Sequence, residues 1–245
     1  MRFLRPTPFL LALGFLTRMG PSLLVERRDM SDSCFWYPVV GALLGGILAA
    51  SAYAVFHGTG SPWVAAWAYV LLGAWLTRAL HFDGLADVAD ALGSGKTGEA
   101  FHAVLKDSRI GAFGCMALVL AVSGLLAATA ACIENNAFPA LFFAPVLGRS
   151  LPLLFTAAAP PHPAASLGAI VSEAPALPCR LLCLAAIIIS GPLCLGFAHT
   201  GTAILLSILC LLFLARTARR EGGYNGDFFG ALIICGECAA LLAAL

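Results

Sequence analysis

Three aspartates, Asp83, Asp87 and Asp90, are spaced i, i+4, i+7 in the stretch His81-Phe82-Asp83-Gly84-Leu85-Ala86-Asp87-Val88-Ala89-Asp90. On a helix this spacing sets all three carboxylates on one face. Like charges so placed repel, and a divalent cation is the economical compensation. Hard carboxylate oxygens suit Mg²⁺, Mn²⁺ or Ca²⁺. The plainer alternative is a solvated acidic face on a surface helix. Mg²⁺ keeps part of its water and is held by one or two carboxylates together with substrate phosphates. The aspartates therefore point to a phosphate-bearing substrate.

Other residues fit that chemistry. Lys106-Asp107-Ser108-Arg109 runs into Gly111 and Gly114, as a phosphate-facing turn would, and Arg220 is a further candidate. Gly222 and Gly223 precede Asn225 and Asp227, where close backbone approach to a ligand is sterically allowed. Asp227 reads either as a fourth carboxylate or as a helix cap. Arg149 and Glu237 fall inside apolar stretches. Intramembrane charges of this kind mark function by default. They read as partners of one another or as the lining of a polar cavity, unless Arg149 simply snorkels to the interface. Gly95-Lys96-Thr97 echoes the end of a phosphate-binding P-loop, but Asp90 stands where that pattern needs glycine.

The elements that carry these residues follow from composition. Of 245 residues, 60% are hydrophobic and only 11% are charged. The mean hydropathy is +0.93. Soluble domains carry roughly 25% charged residues, so a soluble or disordered chain is excluded. Seven apolar stretches are predicted to span a bilayer: Pro38–Phe56, Pro62–Leu80, Phe113–Ile133, Phe138–Ala159, Leu181–Ala198, Thr202–Ala215 (a short one) and Phe228–Leu245. Continuous apolar runs exclude the alternation of a barrel. The fold expected is an all-α polytopic membrane helix bundle, a single catalytic domain over residues 1–245. Its active-site loops are 81–112 and 216–227. With the N-terminus cytoplasmic, all fourteen Lys and Arg fall on or near the cytoplasmic side. The opposite turns, His57–Ser61, Glu134–Ala137 and His199–Gly201, carry none. The stretch Phe9–Val25 is expected to be a short helix at, or dipping into, the interface. The nine cysteines read as small hydrophobes, since Cys235-x-x-Cys238 has no second half with metal-ligand spacing.

Taken together, the motifs resemble the cobalamin synthase (adenosylcobinamide-GDP ribazoletransferase) family. The aspartate stretch from His81 to Asp90 carries most of the likeness. Phe15-Leu16-Thr17-Arg18, Tyr37-Pro38-Val39-Val40-Gly41, Lys106 to Gly114, Gly148-Arg149 and Gly222 to Asp227 agree with it. The sequence departs at Ala91 and Asn225, where the family usually has Gly and Thr, and Pro21 falls one place late. The resemblance implies that adenosylcobinamide-GDP is joined to α-ribazole or its 5′-phosphate, giving adenosylcobalamin or its 5′-phosphate and GMP. A ribose hydroxyl attacks the cobinamide-linked phosphorus, with Mg²⁺ as cofactor. Asp83 and Asp87 are then expected to ligate Mg²⁺. Asp90 is a further ligand or the base, with His81 as the alternative base. Lys106, Arg109 and Arg220 are the phosphate-binding candidates. The expected location is the bacterial cytoplasmic (inner) membrane with the site facing the cytoplasm. Membrane lipids are the other expected partners, with no nucleic acid. Two rival readings are a CDP-alcohol phosphotransferase of lipid synthesis and a non-enzymatic transporter.

Overall fold

A computed structural model of the chain describes residues 5–21, 26–165, 170–171, 173–174 and 176–245. Arg2 and the end of the Phe9–Val25 stretch, residues 22–25, lie outside them. The described residues form helices joined by turns, with one isolated bridge between Pro161 and Tyr224.

A short apolar helix, α1 (Pro6–Leu16), comes first. At 1.5 Å per residue its 11 residues reach about 16 Å, too short to cross a bilayer core of about 30 Å. Next come α2 (Arg27–Ser33) and, after a single 3₁₀ turn, α3 (Tyr37–Thr59). Gly60, at φ 67°, ends α3. Ser61 caps α4 (Pro62–Leu76) by accepting the Val64 N–H at 3.4 Å, and Pro62 opens that helix. Then follow α5 (Leu80–Gly93), α6 (Glu99–Leu105), α7 (Ala112–Glu134), α8 (Phe138–Phe155), α9 (Ala176–Leu195), α10 (Phe197–Arg220) and α11 (Gly226–Ala243).

Among the described residues, six helices are long and apolar enough to cross a membrane: the run ending in α3, then α7, α8, α9, α10 and α11. The α4–α5 pair makes a seventh if counted as one, but it is bent by 87°. We take α4 as the span and α5 as a helix lying across its end.

The core is α8 packed on α11, and α3, α5 and α9 also pack on these two. Apolar stripes face outward on the surrounding helices. Trp63, Trp67, Leu71 and Trp75 recur every fourth residue on α4, each about half exposed, as a lipid-facing surface requires.

Several expected boundaries shift. The second span stops at Leu76 instead of Leu80, because the chain turns sharply there. Residues 81–112 hold α5 and α6 rather than a loop. The sixth span is a full 24-residue helix, and it is separated from the fifth by Gly196 alone, at φ 79°. Consequently His199 lies inside α10, its Nδ1 2.6 Å from the Ala243 carbonyl at the end of α11. Residues 216–220 belong to α10, so the second site segment shrinks to 221–225. Arg149 does not reach either face: it is 1% exposed within α8.

Candidate active site

The site is built at the corner between α4 and α5. Arg78 and Ala79 both take left-handed backbone, at φ 57° and 54°. Such residues cost of order 1–3 kcal/mol each and persist only where surroundings over-determine them. Here α1 does so. The Arg18 N–H donates to Leu76 O at 2.7 Å, closing the end of α4. Arg78 Nη2 in turn donates to Gly14 O and Thr17 O at 3.2 and 3.1 Å, closing the end of α1. The guanidinium of Arg18 lies over the Trp75 ring, 5.3 Å from its centroid.

From this corner α5 runs beneath the first turns of α11 and α7. It meets α11 at glycine. A Cβ on Gly84 would come within 2.8 Å of Asp227 O, and one on Gly230 within 3.1 Å of His81 O. Only backbone fits between the two helices there. At its far end α5 meets α7 through Asp90. The Asp90 carboxylate accepts the Gly111 N–H at 2.7 Å and the Gly114 N–H at 2.8 Å. It thus caps α7 from another helix and satisfies N–H groups that a helix start leaves orphaned.

The three aspartates are therefore not equivalent, as their spacing alone implies. Asp83 and Asp87 line a cavity of 450 Å³ together with Arg78, Ser108 and Ile110. Asp90 opens on a different recess, with Lys96, Asp107 and Arg109. Asp227 borders a different cavity but is near enough for its charge to act on Asp87. Partial burial, then the charges of Asp227, Asp83 and Asp90, raise the Asp87 carboxyl to about 7. Asp227 opens α11 behind the Asn225 cap. Its N–H donates to Asn225 Oδ1 at 3.2 Å, and Asn225 Nδ2 donates to Asp227 Oδ2 at 2.6 Å. The cap of α11 is therefore Asn225 and not Asp227, which stands in the first turn of that helix.

The remaining candidates sort by position. Lys106 ends α6 at the surface. Ser108 faces Asp83 and Asp87. Arg109 grips Asp107 through two side-chain bonds of 2.9 and 2.7 Å, holding that exposed carboxyl near 2. Arg220 pairs with Glu221 at 2.5 Å. Glu221, which the sequence reading passes over, is fully buried and also accepts the Gly98 N–H at 2.8 Å. Its carbonyl meets His102 Nε2 at 2.9 Å, and the His102 ring lies 3.8 Å from that of His162. The bridge follows: Tyr224 N–H to Pro160 O at 3.0 Å and His162 N–H to Tyr224 O at 2.8 Å. Gly222 and Gly223, at φ 89° and 131°, make the turn that allows it. These two glycines serve the brace behind Asp227. The one sequence signal for Glu221 is a charge placed directly before paired glycines.

Arg149 and Glu237 are partners, as one reading of the sequence has it. They form an ion pair between α8 and α11, beside a chamber of about 20 Å³. His81 is part of α5 and faces away from Asp83, into the protein, 4% exposed. Burial, then the charge of Arg149, pushes its imidazole well below the ordinary range, so it is neutral. Its Nε2 has no hydrogen-bond partner among the described residues.

Among the described residues no group of three or more His, Cys, Asp or Glu is preassembled to hold a metal ion. The donor set still suits a hard cation. Asp83 and Asp87 make no ion pair among the described residues, they repel each other and Asp227, and they border space for phosphate and water.

The profile of the cobalamin-5-phosphate synthase family matches residues 8–245. The chain belongs to that family. An adenosylcobinamide-GDP ribazoletransferase of Nitratidesulfovibrio vulgaris (strain Miyazaki F) is 40% identical, over 96% of this chain and 93% of its own length. Relatives of the same name from Brevibacillus brevis and Pseudomonas fluorescens are 35% and 36% identical, each over 96% of this chain and 96% and 98% of theirs. No solved structure matches the chain. The matched residues, 8–245, include α5, the Asp107 turn and the start of α11, so every part of the site just described lies inside the match. It also removes the transporter and lipid-phosphotransferase readings.

Proposed function

We propose that this chain joins adenosylcobinamide-GDP to α-ribazole or its 5′-phosphate, releasing GMP, in the nucleotide-loop assembly of cobalamin. The observation that carries this is the pairing of Asp83 and Asp87 in one open cavity, within a chain that matches the family over residues 8–245. Asp83 and Asp87 would hold Mg²⁺ there, and bound Mg²⁺ supplies charge neutralisation for the diphosphate that is cleaved. Ser108 and Arg78 border the same cavity and are placed to meet phosphate oxygens. Asp227, whose charge acts on Asp87 from α11, would take a proton from an incoming ribose hydroxyl. The α4–α5 corner fixes where Asp83 points, and Asp90 fixes α5 against α7.

The same reading sets the membrane location. The α4–α5 corner, the α5–α7 segment and the α10–α11 turn share one end of the bundle and carry Arg78, Lys96, Lys106, Arg109, Arg219 and Arg220. The turns at the other end carry no Lys or Arg. Positive charge accumulates on the cytoplasmic side. The site then faces the cytoplasm of a bacterial inner membrane, with the N-terminus on the same side. Membranes containing the protein, given adenosylcobinamide-GDP, α-ribazole and Mg²⁺, should form adenosylcobalamin and GMP in equal amounts. Turnover of a CDP-alcohol lipid with no corrinoid product would overturn the assignment.

A further inference from the structure

A second cavity, of 130 Å³, lies on the opposite side of α5 from Asp83. Its walls include Phe15, Tyr37, Phe229 and Ile233, and its polar lining includes His81 and Asp227. Phe15 and Tyr37 stack nearly parallel, 17° apart, with centroids separated by 6.3 Å. The His81 ring is buried between this cavity and the small chamber beside Arg149 and Glu237, and its Nε2 has no hydrogen-bond partner among the described residues. Leaving a buried polar atom without a partner is costly, which invites a ligand atom.

We propose that this cavity seats the aromatic base of α-ribazole, with His81 Nε2 donating to the free ring nitrogen and Asp227 at its mouth beside the ribose. The inference rests on the reaction proposed above. The pocket chooses among the groups which that reaction brings. A corrinoid is far too large. Guanine carries donors and acceptors on most of its edge and would leave them unpaired against these walls. The benzimidazole of α-ribazole is flat, almost wholly apolar, and has one free ring nitrogen. A dry cavity of about 150 Å³ accepts a benzene ring. This one accommodates one ring, with the second ring and the ribose toward Asp227. Because Asp227 lines this cavity and its charge acts on Asp87, a hydroxyl entering from here arrives on the side of the carboxylate pair. The arrangement also gives α1 a role, since its Phe15 and Leu16 form one wall of the cavity.

The test uses the full chain in vesicles with Mg²⁺. Ile233→Phe narrows the pocket and should raise KM for α-ribazole about 10-fold or more, the scale of a misfitted apolar contact, while KM for adenosylcobinamide-GDP stays within about twofold. His81→Phe should do the same, and His81→Gln, which returns a donor, should recover most of the loss. Calorimetric binding of α-ribazole, without the corrinoid substrate, should weaken in parallel. Leu16→Phe approaches the pocket from α1 and replaces Ile233→Phe if that variant does not fold. An unchanged KM for α-ribazole, or equal rises for both substrates, overturns the assignment. So does loss of a co-purifying lipid with ribazole binding intact, which makes the cavity a lipid site. Wild-type protein that binds α-ribazole in an Ile233-dependent way yet makes no corrinoid product overturns the reaction and supports the pocket.

Discussion

Asp90 on α5 accepts the N–H of Gly114 on α7 at 2.8 Å, across 24 residues of chain. With the Gly111 bond, this makes an aspartate of an apparent metal triad into the cap of a membrane helix. Asp90→Ala should therefore lower stability by about 1–2 kcal/mol, the usual cost of a lost cap. Asp90→Asn, which keeps an acceptor, should recover part of it. Thermal unfolding in detergent measures both.

Asp83 makes the opposite case. It is exposed in the 450 Å³ cavity, and no side-chain bond of the described fold depends on it. Asp83→Ala should leave the melting temperature within error and reduce cobalamin formation by on the order of 10²–10³-fold, the range for one lost electrostatic group in an active site. A variant that loses activity and stability together would assign Asp83 to the fold.

The Asp87 carboxyl, raised to about 7 from an ordinary 3.8, sets a pH dependence. The folded protein binds more protons than the unfolded chain between those values. Without a divalent cation, stability is full at low pH and declines as pH rises toward and through about 7. Mg²⁺ should reverse the decline above pH 7. Its binding should release up to one proton near pH 6.5 and almost none near pH 9. Calorimetry in two buffers of different ionisation enthalpy reads the proton count.

The Arg149–Glu237 pair joins the two central helices. Arg149→Met leaves a carboxylate unpaired inside the bundle, and Glu237→Leu leaves a guanidinium. Each should cost about 3–5 kcal/mol, whereas Arg149→Met with Glu237→Leu should restore most of the loss. The double-mutant cycle separates a structural pair from a substrate contact. If activity stays absent after stability returns, the pair also serves the reaction.

Gly84→Ala puts a methyl group 2.8 Å from Asp227 O, against backbone that has no side chain to move aside. The two helices must part, carrying Asp83 and Asp87 away from Asp227. Activity should fall at least 10-fold, with a stability loss of about 1–3 kcal/mol from overpacking. Initial rates and unfolding curves on the same preparation measure the two effects.

Much of this protein is set by local chemistry that is written in order along the chain. Apolar length determines the spans, because backbone in lipid must bond to itself. The i, i+4, i+7 spacing determines that Asp83, Asp87 and Asp90 share a helix, and the Arg149 and Glu237 charges must find partners because bare charge in a membrane is costly. What each aspartate does is another matter. Helical periodicity cannot show that α7 begins beneath Asp90, or that Asp227 arrives beside Asp87 from 140 residues downstream. The 87° corner after Leu76 is equally invisible, since it depends on Arg78 and Arg18 exchanging bonds with the ends of α1 and α4. The partners of Glu221 and the neighbours that an inward His81 meets are hidden for the same reason. Their surroundings come from helices far apart in sequence, and only packing decides which face of α5 meets lipid, protein or substrate.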